Sequence, residues 1–434
     1  MTKPVSPSCA PGSSDLEDPS LTQRGMRKLL YWGGAIGAVS LLGAFGLKRS
    51  FRLPRRLPPV PEELTRQAVI PGIPGVRYLV GVDMEPFVRD VIAARQRETE
   101  FLVQSGHSGP LPPADLLAIS GGGDKGAFGA GLLCGWSAAG NRPRFKCITG
   151  ISTGALIAPL AFLGSEYDEL LRKIYTSVTL ADIAEKRTIL AAVNNDAMAD
   201  NRPLAGLISK SIAQTMLSRI AEEHQNGRIL LILTTNLDAR QPVIWNMGKI
   251  AASGHPKALE LCWSILLASA AIPGAFPPSM IPVEVDGKPY EEMHVDGGAS
   301  AQVFLYPPRV REVAHALGVG MTHRADRVYI IRNATLDATW STIKRQTISI
   351  AGRAIESLLH TQGIGDLYRI YATTQKDGHD FNLAYIGPDF KYKNKTEDFD
   401  TLFMRALFDY GYNLARQGYP WKKTPPGLDA PLEL

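Results

Sequence analysis

Two hydrophobic periodicities share this chain, and the places where one gives way to the other outline its elements. Short apolar runs bounded by turn residues stand at LLAIS (116–120), CITGIS (147–152), RILLILTTN (228–236) and RVYIIRN (327–333). Runs of that length, apolar on consecutive positions, read as strands buried on both faces. Between them, stretches such as 164–176 and 256–270 carry apolar residues at helical spacing. The alternation predicts an α/β fold around a mostly parallel sheet. Upstream, DMEPFVRDVIAARQRETEFLVQ (83–104) reads as an amphipathic surface helix, followed by a Gly/Ser/Pro-rich loop from Ser105 to Pro113. Downstream, 341–360 and 400–417 read as helices and FNLAYIG (381–387) as a strand.

The front of the chain follows a different pattern. Leu29 to Leu47 contains no charged residue and is flanked by Arg27 and Lys28 before it and Lys48, Arg49 and Arg52 after it. At roughly 1.5 Å per residue such a helix reaches about 28 Å, close to the bilayer's hydrocarbon thickness. The segment is therefore read as a retained anchor of the kind found in a bacterial inner membrane. A secretory signal peptide is the competing reading, disfavoured because Ala44-Phe45-Gly46 makes a poor cleavage site. The flanking basic residues lean towards a cytoplasmic catalytic domain but leave the side of the membrane open. The predicted organisation is a tail (1–28), the anchor (29–47), a Pro/Arg-rich tether (48–75) and the helix and loop (76–114). A catalytic core (115–310) and a C-terminal α/β region (311–434) that completes or caps it follow. Within the tether, RLPRRLPPVPEEL (52–64) is expected to be an extended spacer, because its prolines block helix continuation.

Composition narrows the chemistry. Among 434 residues, 47 basic against 42 acidic gives +5, too little over this length to point to nucleic acid, and no aromatic-interleaved basic stripe is present. Cys9, Cys134, Cys147 and Cys262 are widely separated and read as free thiols. No His-x-x-x-His or His-Glu-x-x-His group occurs among the eight histidines, so no metal or other cofactor is expected.

Three short motifs carry the candidate chemistry. Gly150-Ile151-Ser152-Thr153-Gly154 lies between an apolar strand and a helical run, the setting of a nucleophile elbow, where a strained serine exposes its Oγ above the sheet. Ser120-Gly121-Gly122-Gly123-Asp124-Lys125-Gly126 follows another strand and opens a helix. Its glycines let backbone N–H groups face an oxyanion. The same spacing matches a dinucleotide fingerprint, but that reading needs an acidic residue some 20 positions on. Arg142, Arg144 and Lys146 stand there instead, so no nucleotide is expected. Lys125 shapes the loop, meets a phosphate, or is simply solvated. His294-Val295-Asp296-Gly297-Gly298-Ala299 ends an extended run; taken alone it is a turn.

The order GGGDKG, GISTG, DGG resembles the patatin-like phospholipase family, which includes calcium-independent phospholipases and bacterial secreted lipases. LLILTTNLDARQPVIWNMG (230–248) and LLASAAIPGAFPP (266–278) are similar to further family stretches, so the likeness covers 115 to about 310. It implies a three-layer α/β/α hydrolase fold and a lipid acyl-ester substrate at a membrane. It also implies a Ser-Asp dyad in which Ser152 is the nucleophile and Asp296 the general base. Gly121, Gly122 and Gly123 would form the oxyanion hole, with an acyl-enzyme intermediate. A Ser-His-Asp triad remains as an alternative, with His294, His315, His323, His360 or His379 as the third member. A catalytically silent membrane-anchored scaffold is the alternative of another class.

Overall fold

By internal contacts the chain divides into residues 1–55 and 56–434. A computed structural model describes residues 56–186, 196–319, 324, 326–393 and 395–428. The expected anchor at 29–47 lies outside these residues; among the described residues no helix is long and apolar enough to cross a membrane.

Nine strands form the main sheet: β1 (Arg77–Leu79), β2 (Asp115–Ile119), β3 (Cys147–Gly150), β4 (Ile229–Asn236), β5 (Gln241–Asn246), β6 (Ser279–Val285), β7 (Lys288–Asp296), β8 (Arg327–Arg332) and β9 (Asp380–Tyr385). The centre, in the order β4-β3-β2-β8-β9, is parallel throughout. Every residue of β4 is buried, as a strand covered on both faces requires. Beyond β4 the sheet becomes antiparallel through β5 and β1, and a β6–β7 hairpin joins the edge of β4 that β3 has left.

Helices cover both faces. On one lie α2 (Gly126–Ala138), α3 (Thr153–Leu163), α4 (Ala258–Ser269) and α7 (Thr401–Arg416), packed on Leu117, Ile119, Ile148, Leu230 and Ile331. On the other, α1 (Met84–Gln104) and α5 (Val310–Ala316) cover Ile151, Leu231 and Leu233, while α6 (Thr347–Asp377) covers Ala118, Val328 and Ile330. The strand β8 and the helix α6 belong to the C-terminal region, which thus supplies part of the central sheet. The helix expected over 341–360 begins at Thr347 and runs on to Asp377. Its outer half stands clear of the body, with Ile355 and Leu358 exposed, as is Trp340 before it.

The spacer expected over 52–64 is, from Arg56 onward, fastened to the β6–β7 hairpin. Arg56 donates to the Glu291 carbonyl (3.0 Å) and pairs with Asp238, Leu57 N–H donates to the Glu291 carboxylate (2.9 Å), and Glu291 N–H to the Pro58 carbonyl (3.2 Å). Further on, Val69 bridges Glu284, and Ala68, Ile70, Ile73 and Val76 are buried. Prolines prevent an α-helix, but where an extended spacer is expected the chain from Glu62 to Gln67 coils into a short 3-10 helix, and the apolar residues that follow it pack against the body as a strap.

Candidate active site

The site is built where β3 leaves the sheet. After Gly150 the chain turns sharply, and Ser152 takes φ 54°, ψ −125°, a conformation that costs a non-glycine residue energy and persists only when the surroundings enforce it. The enforcement is visible. Ser152 N–H donates to Ser269 Oγ on α4 (3.1 Å), and that hydroxyl donates to the Leu233 carbonyl on β4 (2.7 Å). The turn is tight enough that a Cβ on Gly150 would lie 2.4 Å from the Gly154 carbonyl oxygen, and one on Gly154 2.3 Å from that of Ile119. Both glycines of the pentapeptide are therefore packing requirements. The following helix α3 places its N-terminus beneath the serine, adding the favourable end of its dipole.

Asp296 arrives from β7. Gly150 pairs with Ile232 on β4, and Asp296 pairs with Thr234 on the same strand, two residues further along the edge β3 has vacated. The Asp296 carboxyl faces the Ser152 side chain, which favours its ionised form, and accepts the Gly298 N–H at Oδ1 (2.7 Å). A Cβ on Gly297 would meet the Leu233 carbonyl at 2.6 Å, and one on Gly298 would come within 3.0 Å of Oδ1, so this turn also has no room for side chains. Burial pushes the Asp296 carboxyl up to about 7, opposed by Ser152 and by the Gly298 N–H. A buried carboxyl titrating near neutrality is suited to taking and returning a proton.

The glycine loop closes the third side. A Cβ on Gly121 would sit 3.2 Å from Ser152 Cβ, so the loop lies directly against the serine. Here one expectation is corrected: Gly121 N–H already donates to the Gln302 carbonyl (3.1 Å) and is not available to an oxyanion. The N–H groups of Gly122 and Gly123 take no partner among the described residues, and φ of 156° and 59° turns the backbone there as only glycine does readily. Asn333, immediately after β8, pins this loop. Its N–H donates to Ser120 Oγ (2.8 Å), its Nδ2 to the Ser120 carbonyl (2.9 Å), and its Oδ1 accepts from Gly129 N–H (3.0 Å). A Cβ on Gly122 would collide with the Asn333 carbonyl at 2.4 Å. Asp124 is buried and holds the loop from the other side by Lys395 Nζ (2.7 Å) and the Phe399 N–H (3.0 Å). Lys125 is exposed and Gly126 starts α2 against Thr153.

Among the described residues no histidine bonds Ser152 or Asp296. His294 is fully buried between Thr234 Oγ1 (2.8 Å to Nδ1) and Glu292 (3.1 Å to Nε2), and Glu292 pairs with Arg77. His315 lies on α5. His379 lines a cavity with Leu116 and Cys147 at the starts of β2 and β3, the far end of the sheet. His323 falls outside the described residues. His360, on α6, lies near Arg332 and Lys125. Ser269 and Asn333 escaped notice in the sequence. Asn333 left a trace there, as the polar close of the apolar run RVYIIRN; Ser269, inside a helix of small residues, left none.

Residues 117–307 match the family model of the patatin-like phospholipases. A search of curated proteins finds no match. Among solved structures the chain is similar to VipD from Legionella pneumophila, at 11% identity over 71% of this chain and 67% of that one, with a TM-score of 0.35, a likeness too distant to bear on the site.

Proposed function

We propose that this chain, which carries a patatin-like phospholipase domain over residues 117–307, is a lipid acyl-ester hydrolase working through Ser152 and Asp296. The observation that carries the reading is the strained Ser152, set against a buried carboxyl that accepts a backbone N–H. Ser152 Oγ attacks the ester carbonyl carbon while its proton passes to Asp296. The oxyanion is met by the unpartnered N–H groups of Gly122 and Gly123. Collapse expels the alcohol, which takes the proton back from Asp296. Water, deprotonated in turn by Asp296, then releases the acid from the acyl-enzyme and regenerates Ser152.

Support for a lipid substrate comes from the rim. Asp296 N–H is bonded to the Ala271 carbonyl (2.9 Å), and the next residue, Ile272, is exposed, as is Met198, whose N–H is bonded to the Gly274 carbonyl (3.0 Å). An acyl chain entering beside Ser152 would find these apolar side chains first. Segment 29–47 would hold the enzyme at the bilayer from which such a chain is drawn. The test is labelling with a fluorophosphonate probe, followed by peptide mapping. Modification of Ser152, with hydrolysis of an acyl ester that the probe blocks, is the expected result; a folded protein that neither labels nor hydrolyses is a silent scaffold.

A further inference from the structure

The helix α6 is longer than the sheet it covers. It links two parallel strands, so it starts where β8 ends, at the catalytic end, and runs back towards the start of β9. Its 31 residues reach about 46 Å at roughly 1.5 Å each, whereas the 6 residues of β9 span about 20 Å. The part that packs runs from Gln362, whose side chain donates to the Ser300 carbonyl (2.6 Å), through Leu367, Ile370 and Tyr371. None of the described residues from 347 to 358 is buried. They overhang the catalytic end.

The overhang is patterned. Ala351, Ala354, Ile355 and Leu358 stand at the i, i+3, i+4, i+7 spacing of one helix face. It is not the face by which the inner half packs. At about 3.6 residues per turn, the face of Leu367, Ile370 and Tyr371 continues outward to Glu356 and Arg353, and Leu358 and Ala351 lie about half a turn away from it. An apolar stripe turned from the sheet has no core of its own to enter. Leu358 is 69% exposed, and Trp340, in the segment leading into the helix, is 84% exposed.

Charge indicates what covers this surface. From Trp340 to Leu358, Lys344, Arg345 and Arg353 stand against Glu356 alone. Arg353 is bonded to Glu356 (3.0 Å), and Lys344 and Arg345 are exposed and pair with no carboxylate among the described residues. A face with unpaired positive charge repels a second copy of itself and suits an anionic surface. The chain also enters the body at this end: Arg56 pairs with Asp238, just past the end of β4.

We propose that the segment from Trp340 to Leu358, the overhang of α6 and its approach, docks on an anionic bilayer. Ile355, Leu358 and Trp340 enter the boundary between headgroups and acyl chains, and Lys344 and Arg345 meet the headgroups. This contact is separate from segment 29–47, and it turns the end of the sheet that carries Ser152 towards lipid. The docking is independent of the hydrolase reading above; its use, holding the entrance of the site at the surface, rests on that reading.

The test uses the full chain on vesicles of phosphatidylcholine with and without phosphatidylglycerol, prepared with ordinary or with brominated acyl chains, which quench tryptophan on contact. The difference in emission between wild type and Trp340→Phe isolates Trp340, whatever holds the rest of the chain to the vesicle. Docking predicts that brominated chains quench this difference at least about twofold. The double variant Ile355→Ser/Leu358→Ser, checked for native circular dichroism and melting, should hydrolyse vesicle lipid at least about tenfold more slowly than wild type and a short soluble ester at the same rate. Lys344→Glu with Arg345→Glu should remove any advantage of vesicles containing phosphatidylglycerol. If Trp340 is quenched but wild type hydrolyses neither substrate, the hydrolase reading falls and the docking stands. Unquenched Trp340 emission overturns the docking, and a concentration-dependent self-association lost in the double variant would then give this face to a second copy of the chain.

Discussion

Ser152 and Asp296 meet because they use one edge of one strand: β3 ends opposite Ile232 of β4, and β7 takes up the same edge at Thr234, delivering Asp296 to the turn that β3 has just made. The long chain between the two residues plays no part in their spacing. What fixes the pair is register, reinforced by Ser269, which ties the Ser152 N–H to the Leu233 carbonyl between those two β4 positions.

Ser152→Ala and Asp296→Asn are expected to abolish turnover with the fold intact, whereas His315→Ala, His323→Ala and His379→Ala should each keep most of it. Steady-state rates on a short soluble ester check this. A folded variant at one of those three histidines that loses activity would reinstate a triad.

Activity should rise with pH across neutrality. The working base is the ionised carboxylate, and burial holds Asp296 at about 7, so kcat/KM is expected to climb between about pH 6 and 8 with a midpoint near 7. A pH-independent profile over that range would remove Asp296 as the base.

The same shift makes the stability of the fold depend on pH. Asp296 binds its proton more tightly folded (about 7) than in the unfolded chain, where an aspartate titrates near 3.8, so the stability it contributes is present in acid and is lost as pH rises from about 4 to about 7. Asp296→Asn does not ionise. Its stability relative to wild type should therefore increase over that window, by about a few kcal/mol above pH 7, and its melting temperature with it.

Ser269→Ala leaves the buried Ser152 N–H without its acceptor, at a cost of about 1–3 kcal/mol. Because Ser269 positions Ser152, kcat is expected to fall by more than tenfold with KM little changed, and Ser269→Thr to recover part of it. An unchanged kcat in Ser269→Ala would show that the elbow holds itself.

Removing residues 1–55 should leave the melting temperature of the body unchanged, and removing 1–76 should lower it sharply, since Ala68, Ile70, Ile73 and Val76 are buried. In the shorter of these deletions, lost hydrolysis of vesicle lipid with retained hydrolysis of a soluble ester would support the anchor's role in access.

Much of this was legible in the sequence because the informative residues are local. A strand, a turn of small residues and a helix start are contiguous in 147–154, and the DGG turn sits at a strand end. What was not legible depends on contacts between distant segments. Gly121 looks like its two neighbours until Gln302, far along the chain, is seen to take its N–H. The strap at 56–76 has the prolines of a spacer, and only the hairpin it lies on shows that it is packed. The edge shared by β3 and β7 is a matter of strand pairing, which periodicity does not encode.

The strap gives the molecule a fixed point of departure. Arg56 and Leu57 are fastened to Glu291, on the strand that ends in Asp296. A dye or spin label placed at Leu57, whose side chain is exposed, would thus sit beside the catalytic hairpin, offering a spectroscopic readout of that hairpin while leaving the pocket chemically untouched.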